Sequence, residues 1–203
     1  MPIDLLFICD LIGTFAFAVT GVIGGLKKRL DIVGAMFCAL SPALAGGIVR
    51  DAILGVHSAT FSDERYLIAV VVATLLSYLC SGLVLKYYRI FLYADAIGLA
   101  VFTLIGVHKA ITYDLGVLAA LFLGCITAVG GGMIRDILIQ EVPMVLQREL
   151  YAVPSLCGGA ALLLLYPYIG WEMGFAVTGV FIFVFRVIAI ECKWGLSTKQ
   201  IES

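Results

Sequence analysis

Arg50-Asp51 and Arg135-Asp136 are charged pairs set inside apolar stretches, preceded by Gly46-Gly47-Ile48-Val49 in one case and Gly131-Gly132-Met133-Ile134 in the other. The two copies lie 85 positions apart. A guanidinium and a carboxylate in hydrocarbon are costly unless they face a partner or a water-filled cavity, so their presence marks a functional site. The adjacent glycines loosen the helix that carries them. A chain that does this twice is expected to conduct something across a bilayer.

Two further acids belong to the same constellation. Shifting the sequence by 85 residues brings Asp10-Leu-Ile-Gly13 onto Asp95-Ala-Ile-Gly98, Phe17 onto Phe102, and Gly21-Val22 onto Gly106-Val107. At 1.5 Å per residue, Asp10 lies about 10 Å below the outer end of the first apolar run, comparable in depth to Arg50. Asp10 is therefore expected to pair with Arg50, and Asp95 with Arg135. Asp51 and Asp136 point about 100° around the helix from the preceding arginine, so they are not expected to duplicate that contact and are placed nearer the water. One use for them is to draw cations into a vestibule while the arginine is neutralised by its own acid; the other is purely structural, four acids and two arginines locking the bundle.

The residues just before these pairs are unusual for a membrane span. Ser41-Pro42-Ala43-Leu44-Ala45-Gly46-Gly47 combines a proline, which removes a backbone donor, with two glycines, and predicts a kinked or unwound segment. Thr127-Ala128-Val129-Gly130-Gly131-Gly132 occupies the equivalent place with three glycines and no proline. Irregular backbone at membrane depth is tolerated only where protein buries it or water reaches it. Ser41 and Thr127 suit either coordination of a dehydrated ion or capping of freed carbonyls, the latter being the commoner use.

The elements that must position these residues are read from composition. Hydrophobic residues make up 63% of the 203 and charged ones 13%, with mean hydropathy +1.12, far more apolar than a soluble domain. The chain is expected to be an all-α integral membrane protein in a single domain. Seven runs are long and apolar enough to cross: Ile3 to Leu26, Ile32 to Val56, Tyr66 to Leu85, Ile90 to Val107, Tyr113 to Ile139, Leu150 to Tyr166 and Gly170 to Ile190. The duplication divides them into one repeat over 3–86, a second over 90–168, and a seventh helix over 170–190. Each repeat has three spans, an odd number, so the second enters the membrane inverted relative to the first. Lys27, Lys28, Arg29, Lys86, Arg89, Arg148, Lys193 and Lys199 fall on one side and only Arg65 and Lys109 on the other, which predicts an outside N-terminus and a cytoplasmic C-terminus. The eight-residue intervals Gly13 to Gly21 and Gly98 to Gly106 return to nearly one helix face and suit close packing in lipid.

Several classes are excluded. A net charge of -1 gives no basic face for nucleic acid. The six cysteines stand singly and are expected only to pack. The first run has no basic flank and contains Asp4 and Asp10, which argues against a cleaved signal peptide. His57 and His108 have no second ligand at helical spacing, so no bound metal is expected beyond permeating K+ or Na+. No cofactor is implied. The chain carries no phosphate-binding glycine loop, no His-Glu-x-x-His and no nucleophile elbow, so it is not expected to be an enzyme.

The duplicated Asp-x-Ile-Gly and Gly-Gly-x-x-Arg-Asp elements and the seven-span plan resemble the prokaryotic trimeric intracellular cation (TRIC) channel family, from Ile3 to about Ile190. The resemblance implies a bacterial or archaeal plasma-membrane homotrimer contacting membrane lipid, each protomer holding its own pore for potassium and sodium. It also implies that spans two and five line the pore, which here carry Ser41, Pro42, Gly46, Gly47, Arg50 and Asp51, and Thr127, Gly130, Gly131, Gly132, Arg135 and Asp136, with Asp10 and Asp95 as supporting acids. Ala45 departs from the triple glycine and leaves Pro42 as the cause of the first kink. The lysine-containing signature of the animal members is missing, so their lipid regulation is not implied. Bacterial proteins with the same duplicated domain are also described as small amino-acid transporters, glycine among the substrates, and this is the alternative reading.

Overall fold

The computed structural model describes residues 3–147 and 150–195. Among them the chain is helical and contains no β-strand. The helices are α1 (Ile3–Lys27), α2 (Ile32–Ile53), α3 (Ala59–Ser62), α4 (Arg65–Leu79), α5 (Ser81–Lys86), α6 (Tyr88–Thr112), α7 (Val117–Leu138) and α8 (Ala152–Glu191), with a 3₁₀ turn at Met144–Leu146. Arg148 and Lys199 lie outside the described residues.

Five of these helices, α1, α2, α6, α7 and α8, are long and apolar enough to cross a bilayer. The 40 residues of α8 are twice what one crossing needs, and the helix breaks at Gly170, whose φ of 76° favours glycine over residues with a Cβ. The break follows Pro167, which has no amide hydrogen to give the preceding turn. The run expected as one span over Tyr66 to Leu85 is divided at Cys80 into α4 and α5. At 1.5 Å per residue α4 alone is too short for the hydrocarbon.

The helices meet through small residues. α1 packs on α2, α4 and α6, α6 also on α7 and α8, and α2 on α7. A Cβ on Gly98 would fall 2.2 Å from the Phe17 ring, and one on Gly13 would fall 3.3 Å from Phe102. Phe17 and Phe102 themselves touch, ring centroids 5.2 Å apart. Because rising numbers on α1 meet falling numbers on α6, the two helices run antiparallel. The same holds for α2 and α7: a Cβ on Gly46 would lie 2.1 Å from the Thr127 carbonyl oxygen, and one on Gly131 would lie 2.4 Å from the Pro42 carbonyl oxygen.

Of the expected kinked or unwound segments, the unwound form is the one these helices do not adopt. Both α2 and α7 are unbroken helices through Pro42–Gly47 and Gly130–Gly132. Pro42 does leave the Cys38 carbonyl without its intrahelical donor. Gly21 of α1 covers it, so close that a Cβ there would sit 2.1 Å from that oxygen. Gly106 makes the matching approach to the Leu123 carbonyl, 3.0 Å from its own imagined Cβ. The glycines are therefore used for close approach, and the interruption falls at Gly170 instead.

Outside the spans, Lys28 Nζ bonds Glu141 at 2.5 Å, tying the end of α1 to the connection after α7. The ammonium holds the Glu141 carboxyl below the usual range. The contact is present at neutral pH and is lost as the pH falls through that lowered value.

Candidate pore clusters

Arg50 and Arg135 are each about 1% exposed or less, and each is the centre of a cluster at the end of α2 or α7. In the second cluster Arg135 Nη1 donates to Asp95 Oδ1 and to Thr20 Oγ1, both at 2.8 Å, and Nε donates to Asp136 Oδ1 at 2.8 Å. The guanidinium carbon lies 4.6 Å from the centroid of the Phe91 ring, a cation–π contact. The expected pairing of Asp95 with Arg135 is present. Hydrogen bonds of this kind between charged groups are stronger than neutral ones and orient both partners.

The first cluster differs. Arg50 Nε and Nη2 donate to Asp51 Oδ1 and Oδ2 at 2.8 and 3.1 Å, a bidentate contact with the next residue. No ion pair joins Asp10 to Arg50 among the described residues; Asp10 Oδ2 instead accepts from the Tyr66 hydroxyl at 2.9 Å. The depth argument placed Asp10 at the right level but took no account of an aromatic hydroxyl from α4. Asp51 also accepts from Lys109 Nζ at 2.9 Å, which gives it a second cation.

Asp51 and Asp136, expected nearer the water from their direction, are 0% and 4% exposed, Asp51 enclosed and Asp136 bordering a cavity. The long arginine side chain curls back over the 100° offset to reach them. Each acid then accepts a backbone N–H from beyond its helix: Ala59 to Asp51 at 3.2 Å and Met144 to Asp136 at 3.0 Å. The acid thus ties the helix end to the chain that follows, as a side-chain cap would.

Thr127 Oγ1 donates to the Leu123 carbonyl at 2.6 Å, using its hydroxyl within its own helix. Ser41 Oγ has no hydrogen-bond partner among the described residues. Gly47 and Gly132 lie under the arginines, where a Cβ would stand 3.6 Å from Arg50 Nη2 and 3.7 Å from Arg135 Nη2. Gly130 faces open space.

Tyr66, Tyr151, Lys109, Thr20 and Arg186 complete the clusters, and none was singled out by sequence. The tyrosines carried a signal, since they too are 85 positions apart. The others did not: position for position, Thr20 faces Ile105 and Lys109 faces Gly24 in the shifted alignment. Gly24, with Lys27, Tyr88 and Phe91, lines a cavity of about 340 Å³ that reaches Asp136. One acid is covered by a lysine where its counterpart meets a cavity. Removing the hydroxyl by Tyr66→Phe is expected to cost about 1.5–3 kcal/mol, the worth of a hydrogen bond to a charged group, read as a lower unfolding temperature of the purified protein.

A family model described as Glycine transporter matches residues 7–81 and 92–167, which contain Arg50 and Arg135 with their carboxylate partners. A UPF0126 membrane protein of Vibrio cholerae is 40% identical over 161 residues, 77% of this chain and 66% of that one. The UPF0126 inner membrane protein YadS of Escherichia coli K12 is 38% identical over 76% of each chain. In structure, a TRIC cation channel solved for the basis of its conductance superposes over 100% of both chains with TM-score 0.82 and 34% identity. The TRIC trimeric intracellular cation channel orthologue from Rhodobacter sphaeroides gives TM-score 0.87 and 27% identity over 93% of this chain and 98% of that one. The paired helix ends, the all-helical membrane architecture and these likenesses together show that the chain belongs to the UPF0126 membrane-protein family and shares the fold of the TRIC cation channels.

Proposed function

We propose that the protein is a channel for monovalent cations, K+ and Na+, with a pathway in each protomer between α2 and α7. The observation that carries this reading is the pair of buried arginine–carboxylate clusters on two antiparallel helices, one near each end of the pair. Charge buried in this way is retained where it serves an ion pathway. The full structural likeness to TRIC cation channels supports it.

In this reading the chain crosses seven times: α1, α2, α4 with α5, α6, α7 and the two arms of α8. Residues 3–86 and 90–168 form two inverted repeats, supported by the antiparallel contacts of α1 with α6 and α2 with α7, and 170–190 is the seventh helix. The N-terminus is outside and the C-terminus cytoplasmic, in a bacterial or archaeal inner membrane. Three protomers assemble as a homotrimer surrounded by lipid, as the trimeric neighbours do. The first cluster then lies in the outer half and the second in the inner half. Gly46, Gly47, Gly130, Gly131 and Gly132, with Ser41, Pro42 and Thr127, shape the pathway. Arg50, Asp51, Arg135 and Asp136 position or gate passing ions, with Asp10 and Asp95 as supporting acids.

Purified protein in planar bilayers under a potassium gradient is expected to give unitary currents. Gly132→Leu, which fills the space beneath Arg135, is expected to lower the unitary current several-fold at normal expression. Unchanged current in that variant would remove the pore assignment. Saturable glycine uptake with no discrete openings in the wild type would replace the channel by a carrier.

A further inference from the structure

Outside the two segments that the family model matches, one charged side chain among the described residues is fully buried: Arg186, on the C-terminal arm of α8. Its Nη1 donates to the Leu150 carbonyl at 3.1 Å, and its guanidinium carbon lies 4.6 Å from the Tyr151 ring centroid. Leu150 N donates in turn to the Trp194 carbonyl at 3.1 Å. Residues 150 and 151 are thus gripped at two points by one stretch of chain. That stretch is itself fixed to α6, the helix that carries Asp95: Glu191 accepts from the Tyr93 hydroxyl at 2.7 Å and pairs with Arg89 at 3.0 Å.

Tyr151 is 3% exposed, and its side chain reaches into the second cluster. A Cβ built on Gly132 would lie 3.1 Å from the Tyr151 hydroxyl, 3.7 Å from Arg135 Nη2 and 3.8 Å from Asp95 Oδ1, so the three groups converge on one point. The matching Tyr66 is held differently. Its ring meets Phe7 edge-on at 5.7 Å, and its neighbour Arg65 is largely exposed and bonds Asp63. The first tyrosine is held by the Phe7 ring and its bond to Asp10, whereas a buried cation on the C-terminal arm of α8 holds the second. A cation over an aromatic face fixes the ring's plane as well as its place.

We infer that Arg186 is a positioning residue through which the C-terminal arm of α8 sets Tyr151 against Asp95 and Arg135, so that opening of the inner half depends on the seventh crossing. The inference rests on the channel reading above. The coupling runs from the arm to Arg186, from Arg186 to the Tyr151 ring, and from the ring to the Tyr151 hydroxyl, which has no hydrogen-bond partner among the described residues and shares the space over Gly132 with Arg135 and Asp95. In the first cluster the cation stacked beside Tyr66 is Arg65 of its own helix, which lies 4.0 Å over the Phe7 ring, so the dependence on the C-terminal arm belongs to one half only.

The test is a mutant cycle read in planar bilayers on purified protein in symmetric potassium chloride. Arg186→Gln is expected to change open probability about threefold or more while leaving unitary conductance at the wild-type level, and Arg186→Lys to restore part of the change. The effect of Arg186→Gln is expected to vanish when Tyr151→Phe is also present and to persist alongside Tyr66→Phe. Wild-type open probability in Arg186→Gln, or an equal change in both tyrosine backgrounds, overturns the inference. Where Arg186→Gln does not assemble, Arg186→Lys takes its place in the same cycle: a smaller change in open probability is expected, again lost with Tyr151→Phe and kept with Tyr66→Phe, and no change, or an equal one in both backgrounds, overturns the inference. A second readout needs no current: 3-fluorotyrosine at position 151 is expected to shift its fluorine resonance in the Arg186 variant, and the same label at position 66 to stay in place. An unmoved resonance at 151 overturns the positioning role. Absence of wild-type potassium current with a shifted resonance would instead refute the channel reading and leave the contact standing.

Discussion

Arg135→Gln is expected to cost about 3–5 kcal/mol of stability, the cost of removing one partner from a buried ion pair. Asp95 and Asp136 would both remain buried, at 0% and 4% exposure, without the cation that joins them. Thr20 and the Phe91 face would lose the same partner. Arg50→Gln is expected to cost clearly less. Asp51 would keep the Lys109 ammonium at 2.9 Å and the Ala59 amide at 3.2 Å, and Asp10 would keep the Tyr66 hydroxyl. Thermal unfolding of the two variants in one detergent checks the order. Equal losses, or a larger loss for Arg50→Gln, would show that the extra cation at the first cluster does not substitute for the arginine.

The second large effect concerns glycines that look alike in sequence. Gly46→Ala places a methyl group 2.1 Å from the Thr127 carbonyl oxygen, a backbone atom that cannot turn aside. α2 and α7 must then separate, and the penalty is expected to reach or exceed the roughly 1–3 kcal/mol usual for overpacking. Gly130→Ala meets nothing within 4 Å and is expected to stabilise α7 by up to about 1 kcal/mol through helix propensity. Unfolding temperatures should therefore move in opposite directions. A drop for both would mean that the glycines are needed for backbone freedom and not for close approach.

Much of the architecture was legible because it rests on composition and on a repeat. Apolar length marked the five long apolar helices α1, α2, α6, α7 and α8, and the shifted alignment found Asp10 with Asp95 and Arg50 with Arg135 as matched members. The Asp95–Arg135 contact followed from the repeat, which carried the depth argument for Asp10 and Arg50 over to the second copy. The Asp10–Arg50 contact did not, because Tyr66 comes from a different helix and depth says nothing about which neighbour arrives from the side. Pro42 and the glycine runs read as helix breakers, since sequence reports what a residue removes from its own helix. It does not report that Gly21 covers the carbonyl Pro42 leaves behind, or that Gly46 and Gly131 each rest on a carbonyl of the facing helix. Asp51 was misplaced for a related reason: direction around a helix fixes the Cβ, while the reach of an arginine is several atoms longer. Lys109, Thr20 and Arg186 have no repeat partner, and a search for matched positions passes over them.

The carbonyl contacts of Gly46 and Gly131 have the form of an isologous interface, in which one residue meets another and the exchanged pair meets again across an axis. Two separate identical subunits joined this way would carry every substitution on both sides of the axis at once. Here the two surfaces belong to one polypeptide, so a change on one side is not copied onto the other. Lys109 against Asp51, opposite Gly24 and its cavity at Asp136, is such an unshared change: linkage in a single chain lets a self-complementary contact keep its geometry while its two ends acquire different charge.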